Sequence, residues 1–152
     1  MSKFRRRVLR TLLALPMGCV MSARARAADP SADSGLTPSD WNAIRRVIGE
    51  QLEALRAGDA LRAYGYASPG IQQHFGDAER FMAMVRDGYA ALLDARYTEF
   101  LDGAVIDGVA VQPLRLILPD NAVRVALYQV ERHDGAWRIA GCVLAASTVK
   151  AA

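Results

Sequence analysis

The 152-residue chain is short of the side chains from which most recognisable sites are built. It has two histidines, His74 and His133, and two cysteines, Cys19 and Cys142. None of them stands at metal-ligand spacing, so no metal centre is expected. No glycine pattern resembles a phosphate loop, and Ser68 lacks the context of a nucleophile elbow, so neither a nucleotide cofactor nor serine chemistry is indicated. There is no repeat and no low-complexity tract. No uncharged run reaches the roughly 20 residues that span a bilayer. Lysine is confined to Lys3 and Lys150, so arginine supplies 17 of the 19 basic residues. With abundant alanine, that is the bias of a GC-rich bacterial genome.

Acidic residues are missing from one place in particular. Residues 1–27 hold seven basic residues (Lys3, Arg5, Arg6, Arg7, Arg10, Arg24 and Arg26) and no acid. The formal net charge of +3 therefore belongs to this segment, because the remainder carries 12 basic against 16 acidic residues, a net −4. Such a surface repels phosphate, and a nucleic-acid partner is excluded. The same segment reads as an export signal: basic "MSKFRRRVLR", uncharged "TLLALPMGCVMSA", then Ala25 and Ala27 as an A-x-A cleavage site before Ala28. Thirteen uncharged residues containing Pro16 and Gly18 are too few for an anchor, so no stable membrane attachment is expected after cleavage. "FRRRVLR" resembles a twin-arginine signal, although Val8 stands where Phe belongs, and the general secretory route fits equally well. Pro16 in place of Leu argues against a lipid-modified Cys19. The expected destination is the bacterial periplasm.

Cleavage leaves Cys142 without an intramolecular partner, so no internal disulfide can form even in an oxidising compartment. Its setting, "RIAGCVLAA", is an apolar strand-like run, which points to a buried, unreactive thiol.

The mature chain is long enough for one domain with a real core. Residues 28–36 read as a linker and 37–148 as a single domain. Thr37-Pro38-Ser39-Asp40 is a helix start with capping-box spacing. Trp41, Ile44, Val47, Ile48, Leu52 and Leu55 then recur on one helical face ending at Gly58. A short second helix fits 59–67, closed by Ser68-Pro69-Gly70, and a half-turn "IQQHF" follows. Asp77 caps a third helix with Phe81, Val85, Tyr89 and Leu92 on its buried stripe. From Arg96 the period changes to two. "RYTEFL", two short strands about Asp107-Gly108, "LRLIL", and a long hairpin about Asp134-Gly135 complete the chain. Helices first and strands after indicate an α+β domain: three helices against an antiparallel sheet.

A two-residue Asp134-Gly135 loop pairs Arg132 with Trp137, Glu131 with Arg138 as a cross-strand ion pair, Val130 with Ile139, Tyr128 with Gly141 and Leu127 with Cys142. That register puts Trp137, Val130, Ile139, Tyr128 and Val143 on the core face. Leu127, Cys142, Val125 and Leu144 form a second apolar patch on the other face, for which a homodimer through the sheet is one candidate cover.

Three stretches, "LTPSDWNAIRRVIGEQLEALRAGDALRAYGYASPGIQQHFG", "FMAMVRDGYAAL" and "WRIAGCVL", resemble a bacterial family of domains of unknown function, the one numbered 4864. The resemblance covers residues 36–145. It departs from the family pattern at Ala140, where Asn is frequent, and at "AALLDA". The family looks like a branch of the nuclear-transport-factor-like (cystatin-like, SnoaL-like) superfamily. That resemblance implies a conical α+β fold, with three helices in the concavity of a strongly curved sheet, and often a pocket. It implies no assigned activity and no cofactor.

Pocket candidates are Tyr64, Tyr66, His74, Tyr89, Tyr97 and Tyr128. His74 is the one group able to act as a base near neutral pH, although a helix-end histidine bonded to backbone or water is the plainer reading. His133 sits beside a hairpin turn. Asp59, Asp77, Asp107 and Asp134 are all accounted for as caps or turn residues. Two functions follow: a non-enzymatic domain that binds a small apolar ligand or a protein partner, or a small acid–base enzyme using His74 and a tyrosine.

Overall fold

The computed structural model describes residues 35–150, and the side chains of 35–146. The export signal, the cleavage residues Ala25, Ala27 and Ala28, and most of the linker lie outside the described residues. What is described is an α+β domain. Five helices come first: α1 (Pro38–Arg56), α2 (Ala60–Gly65), α3 (Pro69–Phe75), α4 (Ala78–Gly88) and α5 (Ala90–Asp94). Five strands follow: β1 (Tyr97–Phe100), β2 (Ala104–Ile106), β3 (Val109–Ile117), β4 (Ala122–His133) and β5 (Ala136–Lys150). The sheet is antiparallel in the order β1-β3-β4-β5, with β2 beside the other half of β3.

Helix α1 begins where its capping box places it. The Thr37 hydroxyl accepts from the Asp40 N–H, and the Asp40 carboxylate accepts from the Thr37 N–H at 2.9 Å. That backbone bond is the main reason the Asp40 carboxyl titrates below its ordinary range. Asp59, Ser68 and Asp77 cap α2, α3 and α4 in the same manner. Two expectations differ from the structure. "IQQHF" is not a half-turn but part of α3, because Ser68 caps it and Pro69 suits a first helical position. The expected third helix is two helices, broken at Tyr89, whose φ of −132° and ψ of 30° are not helical.

The inner face of the sheet carries Ala110, Leu114, Leu116, Ala126, Tyr128, Val130 and Ile139, all buried against Trp41, Ile44, Ile48 and Leu52 of α1. Strand β3 is one continuous strand through Pro113 rather than two. The proline is tolerated there because position 113 falls between the stretch paired with β1 and the stretch paired with β2. Its carbonyl accepts from the Leu101 N–H at 3.1 Å and from the Gln112 side chain at 3.0 Å. Gln112 is fully buried yet satisfied: its amide also donates to the Leu101 carbonyl, and its oxygen accepts from Arg45 of α1 at 3.2 Å.

Both tight turns have positive φ at both central residues, Asp107-Gly108 and Asp134-Gly135, as a two-residue hairpin of right-handed twist requires. The β4–β5 register matches expectation from His133↔Ala136 to Val130↔Ile139 and then slips. Ala140 is an extra residue, so Tyr128 faces Cys142 and not Gly141, and Leu127 faces Val143 and not Cys142. Because side chains alternate, one inserted residue exchanges the faces beyond it. Cys142 and Leu144 therefore pack on the core, and Val143 is 56% exposed. The expected Glu131–Arg138 ion pair is also absent, although the two residues are opposite. Glu131 takes His133, two residues along the same strand, at 2.6 Å, and Arg138 donates to the Gly65 carbonyl at the end of α2.

Gly103, in the β1–β2 connection, lies flat on the Trp41 indole, and a Cβ there would stand 2.3 Å from the ring. Trp41 is buried and cannot yield cheaply. Gly103→Ala is expected to lower the free energy of unfolding by about 1–3 kcal/mol, measured by urea denaturation. An unchanged midpoint would show that the connection is not packed as described.

Candidate functional site

The candidate site is a cavity of about 400 Å³ between the helices and the inner face of β4 and β5. Leu55 and Gln51 of α1 form one wall, Ile71 and Phe75 of α3 another, and Phe81, Met84 and Val85 of α4 a third. Tyr89 and Leu92 lie at the α4–α5 break. Tyr128, Ile139, Gly141 and Cys142 make the floor.

Its existence follows from how the helices are tied down. The α2–α3 connection joins the edge of β5 as a one-residue parallel bridge. Ile139 N–H donates to the Tyr66 carbonyl at 2.9 Å, and Ser68 N–H donates to the Ile139 carbonyl at 2.8 Å. Helix α3 leaves this anchor with no fully buried residue of its own. It is held by Tyr64, whose hydroxyl donates to the Gln72 carbonyl, and by the Gln72 amide, which donates to the Tyr64 and Ala67 carbonyls at 3.1 and 3.3 Å. Phe75 then meets Phe81 edge-on at 5.8 Å between ring centres. The aromatic wall is thus suspended over the sheet rather than packed into it. On the floor, the bulge at Ala140 turns Cys142 inward, and Gly141, whose Cβ position points to Gln129 on the outer face, borders the space with its backbone.

The polar groups of the cavity are few. The Tyr89 hydroxyl donates to the Cys142 carbonyl at 2.8 Å, covering a backbone acceptor on the free edge of β5. Gln51 donates to the Ala63 carbonyl at 3.2 Å. Tyr128 is wholly buried, and its hydroxyl has no hydrogen-bond partner among the described residues. Burial raises the pKa of Tyr89 and, much more, of Tyr128, and pushes the Cys142 thiol up to about 12. All three are neutral at physiological pH. The cavity is an uncharged, largely hydrocarbon space with a phenol at its floor.

The residues singled out in the sequence separate on this geometry. Tyr89 and Tyr128 line the cavity. Tyr64 packs on Phe81 at 5.7 Å and serves as the clamp on α3, and Tyr66 packs against the α1–sheet core. Tyr97 is half exposed on the opposite face of the sheet. His74 is exposed, stacked edge-on against its neighbour Phe75, and does not line the cavity. His133 is engaged with Glu131. Gln51 was not anticipated, yet 48, 51, 52 and 55 form one helical face, so its spacing marked it as buried. Cys142 and Gly141 could not be assigned to the floor without the bulge. Among the described residues, no three His, Cys, Asp or Glu side chains come together as a metal site, and no helix is long and apolar enough to cross a membrane.

Residues 37–152, three quarters of the chain and every described helix and strand, match the family model described as Domain of unknown function (DUF4864). The chain belongs to this family. A comparison with the curated proteins finds no match. In this DUF4864 domain the stretch from Tyr64 to Gln72 anchors and clamps α3.

The thiol supplies a direct test of this environment. With its pKa at about 12, Cys142 has on the order of a thousandth of the thiolate of an ordinary cysteine near pH 8. Native protein is expected to react with a disulfide reagent at least a hundredfold more slowly than urea-unfolded protein. Equal rates would mean that Cys142 is not held in the floor. The raised folded pKa also means that the thiol's contribution to stability is intact below pH 9.0, its ordinary value, and is lost as pH rises toward about 12. Cys142→Ala should flatten that alkaline decline.

Proposed function

We propose that the protein is an exported, periplasmic binding domain that holds a small apolar ligand in this cavity. The cavity itself carries the reading: its size falls within the roughly 300–1,000 Å³ of ligand sites, and its walls are apolar with a few fixed polar groups. Helices on one face of an antiparallel sheet also support placing the domain in the nuclear-transport-factor-like (cystatin-like) superfamily, whose cones enclose pockets. The basic, then uncharged, then A-x-A leader and the net −4 of the remainder support export.

Acid–base catalysis is the weaker reading. A general base must lie within hydrogen-bond reach of its substrate and titrate near the working pH. His74 is outside the cavity, and the groups inside it are raised away from neutrality. Native mass spectrometry of protein purified from its own periplasm is expected to show a co-purifying small molecule, retained in His74→Ala. A bare protein would contradict the binding reading, and loss of the ligand in His74→Ala would restore the catalytic one.

A homodimer through the outer face of the sheet belongs to the same proposal. Among the described residues, four of the five exposed large apolar side chains (Tyr97, Ile106, Val109 and Val143) lie on that face, with Leu127 and Val125 between them. Four strands about 4.8 Å apart, with the 12 residues of β4 rising about 3.4 Å each, offer about 800 Å². That is what a standard interface takes from each partner. The face carries both members of the Glu99–Arg115 ion pair, as a self-complementary two-fold contact favours. Sedimentation velocity should give twice the chain mass for the wild type and a monomer for Val143→Glu. A monomeric wild type at micromolar concentration would remove this part of the proposal.

A further inference from the structure

The cavity is hydrocarbon-like except at one point on its floor. Tyr128 is 1% exposed and borders the cavity, and its hydroxyl, shut off from water beneath the floor, meets no acceptor among the described residues, so a ligand oxygen reaches it as the adjoining side chains part. The neighbouring polar groups are already committed. Tyr89 donates to the Cys142 carbonyl and Gln51 to the Ala63 carbonyl. Among the described residues, Arg56 is the cation that acts electrostatically on Tyr128; it donates to the Leu92 and Ala95 carbonyls and does not line the cavity. A buried phenol without an acceptor bears a desolvation cost that a phenylalanine would avoid. Ring packing alone therefore does not account for the hydroxyl.

We propose that the Tyr128 hydroxyl is the polar anchor of the ligand site, donating a hydrogen bond to a carbonyl-type oxygen on a neutral, otherwise hydrocarbon ligand. The inference rests on reading the cavity as a ligand site. The ligand is neutral because no cationic side chain among the described residues lines the space, and an unpaired carboxylate would be costly to bury there. Its orientation follows from the positions of the walls. The oxygen lies against β4 and β5, where Tyr128 faces Cys142, and the hydrocarbon lies toward Ile71, Phe75, Phe81 and Met84. At the ~30 Å³ that a water molecule occupies in the liquid, the space holds on the order of a dozen non-hydrogen atoms.

Three probes matched in chain length separate the possibilities: 2-octanone, octane and octanoate, each competed against a fluorescent hydrophobic dye. The wild type should bind 2-octanone about tenfold more tightly than octane, since a lone buried donor regains its acceptor only with the ketone. Octanoate should bind most weakly at pH 7.5. In Tyr128→Phe the ketone's advantage should fall to about twofold or less, with octane affinity retained as the internal check on folding. The carbonyl stretch of 2-octanone bound to the wild type should also move to lower frequency than in hexane, a readout that needs no variant. Equal affinity for ketone and alkane in the wild type, an unshifted carbonyl stretch, or a preference that survives in Tyr128→Phe would each overturn the anchor and leave the cavity a binding site. Failure of all three probes to compete would overturn the cavity reading itself.

Discussion

The helical layer and the sheet meet at Ile139. Its N–H and carbonyl, left free on the edge of β5, are taken by Tyr66 and Ser68 from the α2–α3 connection. Everything around the cavity depends on this pair of bonds. They fix where α3 starts and hold it away from α1. They also close the β5 edge at the one point where the helices cross it. An unpaired strand edge is a hazard that proteins cover with a loop or a helix, and here the cover doubles as the hinge point of a pocket wall.

Immediately beyond that anchor the strand admits its extra residue. The bulge at Ala140 is a local irregularity with a global effect, because it decides which side chains of the last strand see the helices. Without it, Val143 would face inward, and Cys142 and Leu144 outward. With it, a small, soft thiol and a glycine form the floor beside Tyr128, and the more voluminous Val143 is left on the outer face. The anchor and the bulge together leave a gap that the aromatic side chains of α3 and α4 bridge rather than fill. Interiors are ordinarily packed to crystal density, so a preformed apolar gap of this size is a feature that the surrounding hydrogen bonds maintain.

What could be read from the sequence was local chemistry. The Thr37–Asp40 capping box, the Asp caps of α2 and α4, the two Asp-Gly turns and the α1 stripe each announce themselves through a few adjacent residues, and each is where it was expected. What was illegible depended on contacts distant in sequence. The break at Tyr89 has no proline to mark it, and its hydroxyl reaches Cys142, 53 residues on. The bulge has no signature beyond a glycine in an apolar run. Glu131 and Arg138 were placed opposite each other correctly, but Arg138 takes the Gly65 carbonyl, 73 residues away, and leaves Glu131 to His133 on its own strand. The aromatic-rich stretch from Tyr64 to His74 held pocket candidates, with packing and backbone bonding the plainer reading, and Tyr64 and Gln72 do spend their polar groups on each other's backbone.

An apolar, neutral cavity whose titratable lining groups are held in their uncharged forms is what the proposed ligand-binding role rests on. The most direct test is a carbon–proton spectrum of methyl-labelled protein titrated with 2-octanone. The account predicts saturable shifts at Met84, Leu55, Val85 and Ile71, which line the cavity, with Val143 and Ile106 on the outer face of the sheet unmoved. Shifts confined to the outer face, or none at all up to the solubility of the probe, would contradict it.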